Sequence, residues 1–453
     1  MKPLRRRLWL LGTASTFGYL LLITRVTGHP VFLRWGFPLL DFLVVFLIFF
    51  AFLFLLAMTG AWWVFRSKAD DTTALGLIIG FALLFRLLLL PTPPVLSSDI
   101  FRYIWDARIQ ASGLNPYLSR PADFDTEANR KDPIYQQQNR PFARTIYPPL
   151  AQMAFRVVRV AAGESITATK ALMLLGDLAS ILILIQLLQS LRMPRGRVIL
   201  YAWHPLVVFE VAGSGHVDAL AIPCILLALL AWQWRRDVLA GISLGAAALI
   251  KIFPIFLLAA FFSRQRWRIL IGCCGAVLLA YSPFLPSTGF QVLGHLPQFL
   301  ADPNEVFNPS LIGLVLVLGP FFSRSAVAWA SWIGRAALIS SLAWLLRREA
   351  ENVNDLVARV WVVAGAITLF TLTMHPWYLL WLLPFLAIQP RAAWIYLSGA
   401  VALSYLLYLA VPLPARVAIG AIEYLPFLIL LVWQRGRFDT LTPKHAGWGA
   451  EQL

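Results

Sequence analysis

The chain has 453 residues, of which 59% are hydrophobic and 13% are charged, and its mean hydropathy is +0.73. This composition excludes a soluble domain, because the polar residues are too few to cover a compact core. It predicts an all-α protein that crosses a membrane many times.

The 38 basic and 22 acidic residues give a net charge of +16. The basic residues cluster between apolar runs, as in cytoplasmic loops, so the excess indicates topology and contact with the lipid bilayer. Nucleic-acid binding is not expected.

Membrane spans are predicted with a length of about 20 residues per crossing. The basic segment Lys2–Arg7 precedes a first apolar run at 8–26 that lacks a small-residue cleavage site, so we predict an uncleaved span with a cytoplasmic N-terminus. Residues 238–263 predict a helical hairpin interrupted at Lys251–Pro254. Further spans are predicted near 37–59, 73–91, 166–190, 198–213, 217–234, 268–285, 326–346, 356–374, 377–389, 392–411 and 416–434. The total is about 13–14 crossings in one domain, 1–453, with both termini cytoplasmic.

Two polar segments are predicted to lie on the outer face of the membrane, at 92–147 and 286–309. The stretches 147–162 and 309–322 are too short or too basic for confident spans, and we interpret them as interfacial or re-entrant helices on the same side.

The first polar segment opens with SSDIFRYIWDARIQASGLNPY at 97–117. Two serines suited to capping and a glycine before Asn-Pro predict a helix over 99–112. Its polar side chains share one side of the helix, so we expect it to lie in the membrane interface with that stripe facing a cavity or water. The stripe comprises Asp99, Arg102, Tyr103, Asp106 and Gln110. A structural alternative is that Asp99 caps the helix and Asp106 pairs with Arg102 at i,i+4.

Ionisable residues at or inside predicted spans are functional candidates. Lys251 requires a phosphate, a carboxylate or an aqueous cavity, unless it snorkels to the surface. His216 and Asp218 in GSGHVDAL lie at the outer end of a span, where helix capping competes with a site role. His375 in TMHPWYLLW also lies at an outer end. Other ionisable residues of the spans are interpreted as structural or left open: Lys170, Asp177, His204 and Glu210.

A metal or disulfide framework is not predicted. The three cysteines, Cys224, Cys273 and Cys274, all lie in apolar segments. Asp123 and Asp125 form an Asp-x-Asp pair, but their hydrophilic surroundings indicate a solvated turn. We therefore expect no metal and no cofactor.

The loop string at 97–117 and TIYPPLAQ resemble landmarks of bacterial polyprenol-phosphate-mannose-dependent mannosyltransferases, which belong to the GT-C superfamily of membrane glycosyltransferases. GSGHVDAL, ALIKIFPIFLL and MHPWYLLWLLP follow in the expected order, so the resemblance spans about 97–388. It implies transfer of a sugar, with mannose expected, from a polyprenyl-phosphate donor to a hydroxyl of a glycan or glycolipid acceptor. The reaction would take place on the outer face of the cell membrane.

The same resemblance implies roles for individual residues. The loop aspartate of the family matches Asp99, which would act as the general base. Candidate contacts to the donor phosphate or sugar are Arg102, Lys251, His375, Tyr378 and Tyr147, and supporting residues are Asp106, His216 and Asp218. Two other classes remain open, a transporter or flippase for a lipid-linked sugar and a glycan ligase. The compact acidic helix outside the membrane favours the transferase.

Overall fold

The computed structural model describes residues 3–27, 38–67, 70–301, 307–308, 324–347, 349–371, 373–409 and 411–441. It is 80% helical, and the described residues contain no β-strand, only an isolated parallel bridge between Phe307 and Thr373. The all-α prediction is confirmed. The expected interfacial helix at 309–322 lies outside the described residues.

The α-helices follow one another along the chain with short connections. They are α1 (Pro3–Thr27), α2 (Pro38–Ser67), α3 (Thr72–Leu89), α4 (Asp99–Ala111), α5 (Glu127–Lys131), α6 (Pro133–Gln136), α7 (Pro149–Ala162), α8 (Ile166–Ser190), α9 (Ile199–Ala202), α10 (Pro205–Val208), α11 (Asp218–Gln233), α12 (Asp237–Ile250), α13 (Leu258–Phe261), α14 (Arg268–Tyr281), α15 (Leu285–Thr288), α16 (Leu296–Ala301), α17 (Arg324–Leu346), α18 (Val353–Phe370), α19 (Leu383–Ile388), α20 (Ala392–Ala400) and α21 (Leu413–Leu441).

Tighter and wider helical turns interrupt this series. The 3₁₀ segments are Pro121–Phe124, Arg195–Val198, Phe253–Leu257, Arg264–Arg266, Gly289–Leu293, Pro376–Leu382 and Val401–Leu409. A single π-helical turn covers Phe209–Gly213. Such turns are common at functional sites, because they displace side chains from the regular helical phase.

Several helices are long and apolar enough to cross a membrane. Within the described ranges there are five: Leu40–Ser67, Thr72–Leu89, Ile166–Ser190, Ala392–Leu409 and Leu413–Gln434. A sixth is obtained if Arg268–Tyr281 and Leu285–Phe299, which are bent by 64°, form one broken span. These are fewer than the 13–14 crossings predicted, because several predicted spans, such as 198–213 and 377–389, consist of short helices separated by turns.

Helices α8, α11, α12 and α14 pack in succession through the middle of the bundle. At the α12–α14 contact a Cβ on Gly241 would lie 2.0 Å from the carbonyl oxygen of Ile269. Conversely, a Cβ on Gly272 would lie 2.3 Å from the carbonyl oxygen of Val238. The two glycines therefore permit backbone-to-backbone contact, which is how helices in an apolar environment gain packing energy.

Several buried polar groups of the bundle have partners in its interior. Arg86 forms an ion pair with Asp177, and both side chains are fully buried. The Nζ of Lys170 donates to the carbonyl oxygens of Leu89 and Thr92, at 2.9 and 2.6 Å. Lys170 and Asp177 thus face the interior of the bundle. His204 likewise has a structural partner, since its Nε2 lies 2.9 Å from Ser398 Oγ.

The polar loop folds back on the bundle and does not lie free at its surface. Its helix α4 begins and ends close to the predicted positions, with the Oγ of Ser97 accepting from the backbone N–H of Asp99 and Gly113 at φ +77° after its end. Helix α4 packs against α7, α6 and α8. The polar stripe, expected to face a cavity or water, does so only in part: Arg102 and Asp106 are buried together with the apolar side, whereas Asp99 stays 18% exposed.

The two polar segments contact each other. The backbone N–H of His295 donates to the carbonyl oxygen of Thr145 at 3.1 Å. Next to it, Gly294 has φ +57°, and a Cβ there would lie 1.9 Å from the same oxygen. Only glycine fits this close approach, so the second segment closes over the end of the first.

Candidate active site

Asp99 is the first residue of α4, and its carboxylate has polar neighbours on two sides. The Nδ2 of Asn139 donates to Oδ1 at 2.7 Å, and the Nδ1 of His216 lies 3.8 Å from Oδ2. The side chain remains 18% exposed, which distinguishes it from the buried carboxylates around it. Asp99 is therefore an accessible acceptor placed at a helix N-terminus, where negative charge is stabilised.

His216 reaches Asp99 through an unusual backbone path. After the π-turn Phe209–Gly213, Gly215 adopts φ +77°, and a Cβ at this position would lie 2.8 Å from Ile100 Cδ1. The turn brings the Nε2 of His216 to 3.1 Å from Oε2 of Glu210, although the two groups are not aligned for a hydrogen bond. Both side chains are fully buried. The imidazole thus stands between an accessible and a buried carboxylate.

A column of stacked rings fixes the plane of this imidazole. His216 stacks on Trp377 with ring centroids 4.0 Å apart and an interplanar angle of 19°. Trp377 stacks on His375 at 4.3 Å and 6°, and His375 stacks on Phe307 at 4.3 Å and 21°. The column joins His216, Phe307 and the neighbouring pair His375 and Trp377, so it ties together three stretches that are far apart in the sequence.

Lys251 and Asp218 form an ion pair beside this column. Nζ lies 3.1 Å from Oδ2 of Asp218, with the side chains 12% and 4% exposed. Asp218 begins α11, whereas Lys251 follows the end of α12 in extended conformation, so each charge complements the dipole of its helix. Nζ also lies 5.3 Å from the ring centroid of Tyr378, within the range of a cation–π contact.

Two tyrosines pack behind the site, on the side of the polar loop. Tyr103 stacks on Phe155 at 4.6 Å and meets Tyr147 edge-on at 4.9 Å. Burial, reinforced by the charge of Asp99, raises the pKa of both phenols well above its ordinary value, so both stay protonated. Tyr147 is only 5% exposed, which places it behind the site and not on an open surface.

Arg102 and Asp106 form a separate buried network. Arg102 Nε donates to Oδ1 of Asp106 at 2.8 Å, and Nη1 donates to the carbonyl oxygen of Ala143 at 3.0 Å. The Nε2 of Gln152 donates to the other carboxylate oxygen of Asp106 at 2.9 Å. This network ties α4 to the end of the loop and to α7. Arg102, expected as a phosphate contact, is instead buried inside the loop.

The Asp123–Asp125 pair lies in an exposed turn with its own cations. Arg120 binds Asp123 and Arg130 binds Asp125, each at 2.7 Å. These guanidinium partners hold the pKa of both carboxyl groups below its ordinary value. Within the part of the chain that the structure describes, no group of three or more His, Cys, Asp or Glu is arranged to hold a metal ion.

Among the expected site residues, one group lies together, linked contact by contact: Asp99, His216, Asp218, Lys251, His375 and Tyr378. Sequence reasoning missed Asn139 and Trp377 and left Glu210 open. A signal existed for Trp377, which directly follows His375-Pro376 in an aromatic run. Asn139 lies 40 residues from Asp99 and carries no comparable signal.

A bundle of long apolar helices with a cluster of ionisable side chains at one end defines a polytopic membrane enzyme. Residues 10–264, more than half of the chain, match the model of the MptA_B family, described as alpha-(1->6)-mannopyranosyltransferase, N-terminal domain. The chain belongs to this family, and it is a membrane mannosyltransferase of the GT-C type. A search of curated proteins finds no significant match. Membership of a transferase family disfavours the transporter and ligase alternatives.

Proposed function

We propose that this mannosyltransferase takes mannose from a polyprenyl-phosphate donor and transfers it, with inversion, to an acceptor hydroxyl on the outer face of the cell membrane. Asp99 is the general base. The observation that carries the proposal is the position of Asp99: an accessible carboxylate, bonded to Asn139 and facing His216, in the same cluster as the Lys251–Asp218 ion pair. Base and cation are the two groups that an inverting transfer from a phosphate requires.

The chemistry is a single displacement. Asp99 accepts the proton of the acceptor hydroxyl while its oxygen forms a bond to the anomeric carbon of mannose. The bond from that carbon to the phosphate oxygen breaks, and polyprenyl phosphate leaves with the electron pair. Negative charge grows on the phosphate, and Lys251 stabilises it. Tyr378 contacts both His375 and Lys251, so His375 and Tyr378 lie on the same side of the site as Lys251.

The family description supports a proposal for the acceptor. An alpha-(1->6) linkage requires a primary hydroxyl at the 6-position of a sugar as nucleophile. We therefore propose a glycan or glycolipid whose terminal sugar offers that hydroxyl. A lipid-linked donor suits the site, because the cluster lies at the ends of apolar helices where a polyprenyl tail remains in the bilayer.

The test is transfer of labelled mannose from polyprenyl-phosphate-mannose in membranes that contain the wild type or Asp99→Asn. The variant should lose roughly 10²–10⁴-fold in rate, because the amide cannot accept the proton. Asp123→Asn is the matched control: it makes the same change in an exposed turn of the same loop and should transfer normally. Donors that carry glucose or arabinose test the sugar. An Asp99→Asn enzyme as fast as the wild type would remove Asp99 as base.

A further inference from the structure

We propose that Glu210 is a positioning residue for catalysis that acts through His216 to keep an N–H directed at the carboxylate of Asp99. The proposal rests on the assignment of Asp99 as the base. Glu210 lies on the π-turn, is fully buried, and faces the Nε2 of His216 at 3.1 Å, while Nδ1 of the same ring faces Asp99 at 3.8 Å. The ring thus connects a buried carboxylate to the reactive one.

Burial limits how Glu210 and His216 can share their protons. A fully buried carboxylate requires either a proton or a cation beside it. If Glu210 carries the proton, its carboxyl group faces the lone pair of Nε2, and the ring hydrogen of a neutral imidazole must then lie on Nδ1. If the proton moves to the ring, both nitrogens carry hydrogen. In both cases Nδ1–H faces Asp99, and the Glu210–His216 pair as a whole is neutral.

The surroundings hold the ring in this orientation. Trp377 stacks on one face, and the turn at Gly215 leaves no room for a Cβ next to Ile100. A separation of 3.8 Å exceeds a hydrogen bond, so the proposed role requires this contact to shorten when substrate binds, as catalytic contacts often do. An N–H that faces a carboxylate stabilises negative charge there, and a carboxylate must carry that charge to accept a proton. The charged or titratable groups around the pair are Asp99, Asp218, Lys251, His375 and Tyr408.

Glu210→Gln removes this control. The amide can donate to Nε2 or accept from Nε2–H, so it no longer fixes the ring hydrogen on Nδ1, and the Nδ1 lone pair can then face the carboxylate of Asp99 and repel its negative charge. We expect kcat to fall roughly 10- to 100-fold with the KM for donor little changed. The acid limb of the kcat/KM profile should move to higher pH by about one unit. Glu423→Gln is the matched control, because it alters another fully buried glutamate, on α21, and should leave the limb in place.

His216→Phe gives the second test and keeps a ring to stack on Trp377. It should move the acid limb in the same direction, and adding Glu210→Gln in this background should move it no further. Folded protein is quantified by size-exclusion chromatography in detergent. If Glu210→Gln does not fold, His216→Phe alone decides, and an unmoved limb overturns the inference. Shifts that add in the double variant also overturn it. If Asp99→Asn is inactive while the acid limb of the Glu210→Gln and His216→Phe variants stays in place, the inference fails and the proposed function stands. If Asp99→Asn is active, Asp99 is not the base and the proposed function fails.

Discussion

Lys251 illustrates how a single residue acquires two possible roles. Its ion pair with Asp218 is largely buried, and breaking such a pair by removing one partner leaves the other charge without compensation. A structural salt bridge and a phosphate site therefore both predict that loss of the lysine is harmful. They differ in what happens when the carboxylate is removed and the cation stays, and this difference makes the role testable.

We predict that Lys251→Met raises the donor KM roughly 10- to 100-fold, because a charge-assisted hydrogen bond to phosphate contributes about 1.5–3 kcal/mol. Asp218→Asn breaks the same ion pair but retains the cation, so its effect on donor KM should be clearly smaller. The measurement is initial-rate kinetics with labelled donor in proteoliposomes. An equal rise in KM for both variants would mean that the pair is structural and that Lys251 does not bind the phosphate.

Sequence reasoning at the residue scale found groups with distinctive chemistry and missed those defined by their neighbours. Lysine and histidine at the ends of apolar runs are conspicuous, so Lys251, His216 and His375 are readily identified. The burial of Arg102 was not visible, because a polar stripe on one helix does not reveal that α7 covers it. The partners of Arg102, Ala143 and Asp106, include a backbone carbonyl from the far end of the loop, which no periodicity predicts.

At the scale of elements, the α12–α14 contact depends on glycine. A Cβ on Gly241 would lie 2.0 Å from a backbone oxygen of α14, which a small rotamer change cannot relieve. On α14 itself, Gly275 has no atom within 4 Å of the position a Cβ would occupy. These two glycines lie on neighbouring packed helices, yet only one of them is required by the packing.

We therefore predict that Gly241→Ala lowers the thermal unfolding midpoint of the detergent-purified protein, because α12 and α14 must separate to admit the methyl group. Gly275→Ala should leave the midpoint unchanged or raise it slightly, since alanine favours helix over glycine by about 1 kcal/mol. Light-scattering or dye-based unfolding measures both variants. If the two variants unfold at the same temperature, the close approach of α12 and α14 is not limiting for stability.

Elements with strong local signals were predictable. The start of α7 at Pro149, the end of α4 before Gly113 and the break after α12 at Lys251 all follow from proline, glycine and capping chemistry. The π-turn Phe209–Gly213 was not, because an apolar run of this length predicts a continuous span and contains no local marker of a wider turn. That turn places Glu210 and His216 together, so the missed element is also the one that builds the site.

At the scale of the whole molecule, the site draws on both parts of the chain. The family match over 10–264 includes Asp99, His216 and Lys251, whereas His375 and Trp377 lie beyond it. The ring column crosses this boundary, because Trp377 is stacked between His216 and His375. The order of these motifs along the sequence could be predicted, but not their stacking, which arises only when distant segments pack together.

Trp377 tests this arrangement. Trp377→Ala should destabilise the protein by about 3–5 kcal/mol, as large-to-small changes at buried tryptophans do. Loss of the Trp377 ring should also allow the His216 ring to rotate, so that the protein that remains folded transfers mannose more slowly. Trp361→Ala is the matched control: Trp361 is as buried as Trp377, at 4% exposure, but stacks on Trp394 in a different part of the bundle.

The two variants are compared by rate per folded molecule, with the folded fraction taken from size-exclusion chromatography. Similar losses of stability with a lower rate for Trp377→Ala alone would mean that the ring column positions His216 for catalysis. Equal rates per folded molecule would mean that the ring column contributes only packing and does not position His216. Because Trp361 contributes the same kind of buried ring, any difference between the variants must come from what Trp377 touches, namely His216 on one face and His375 on the other.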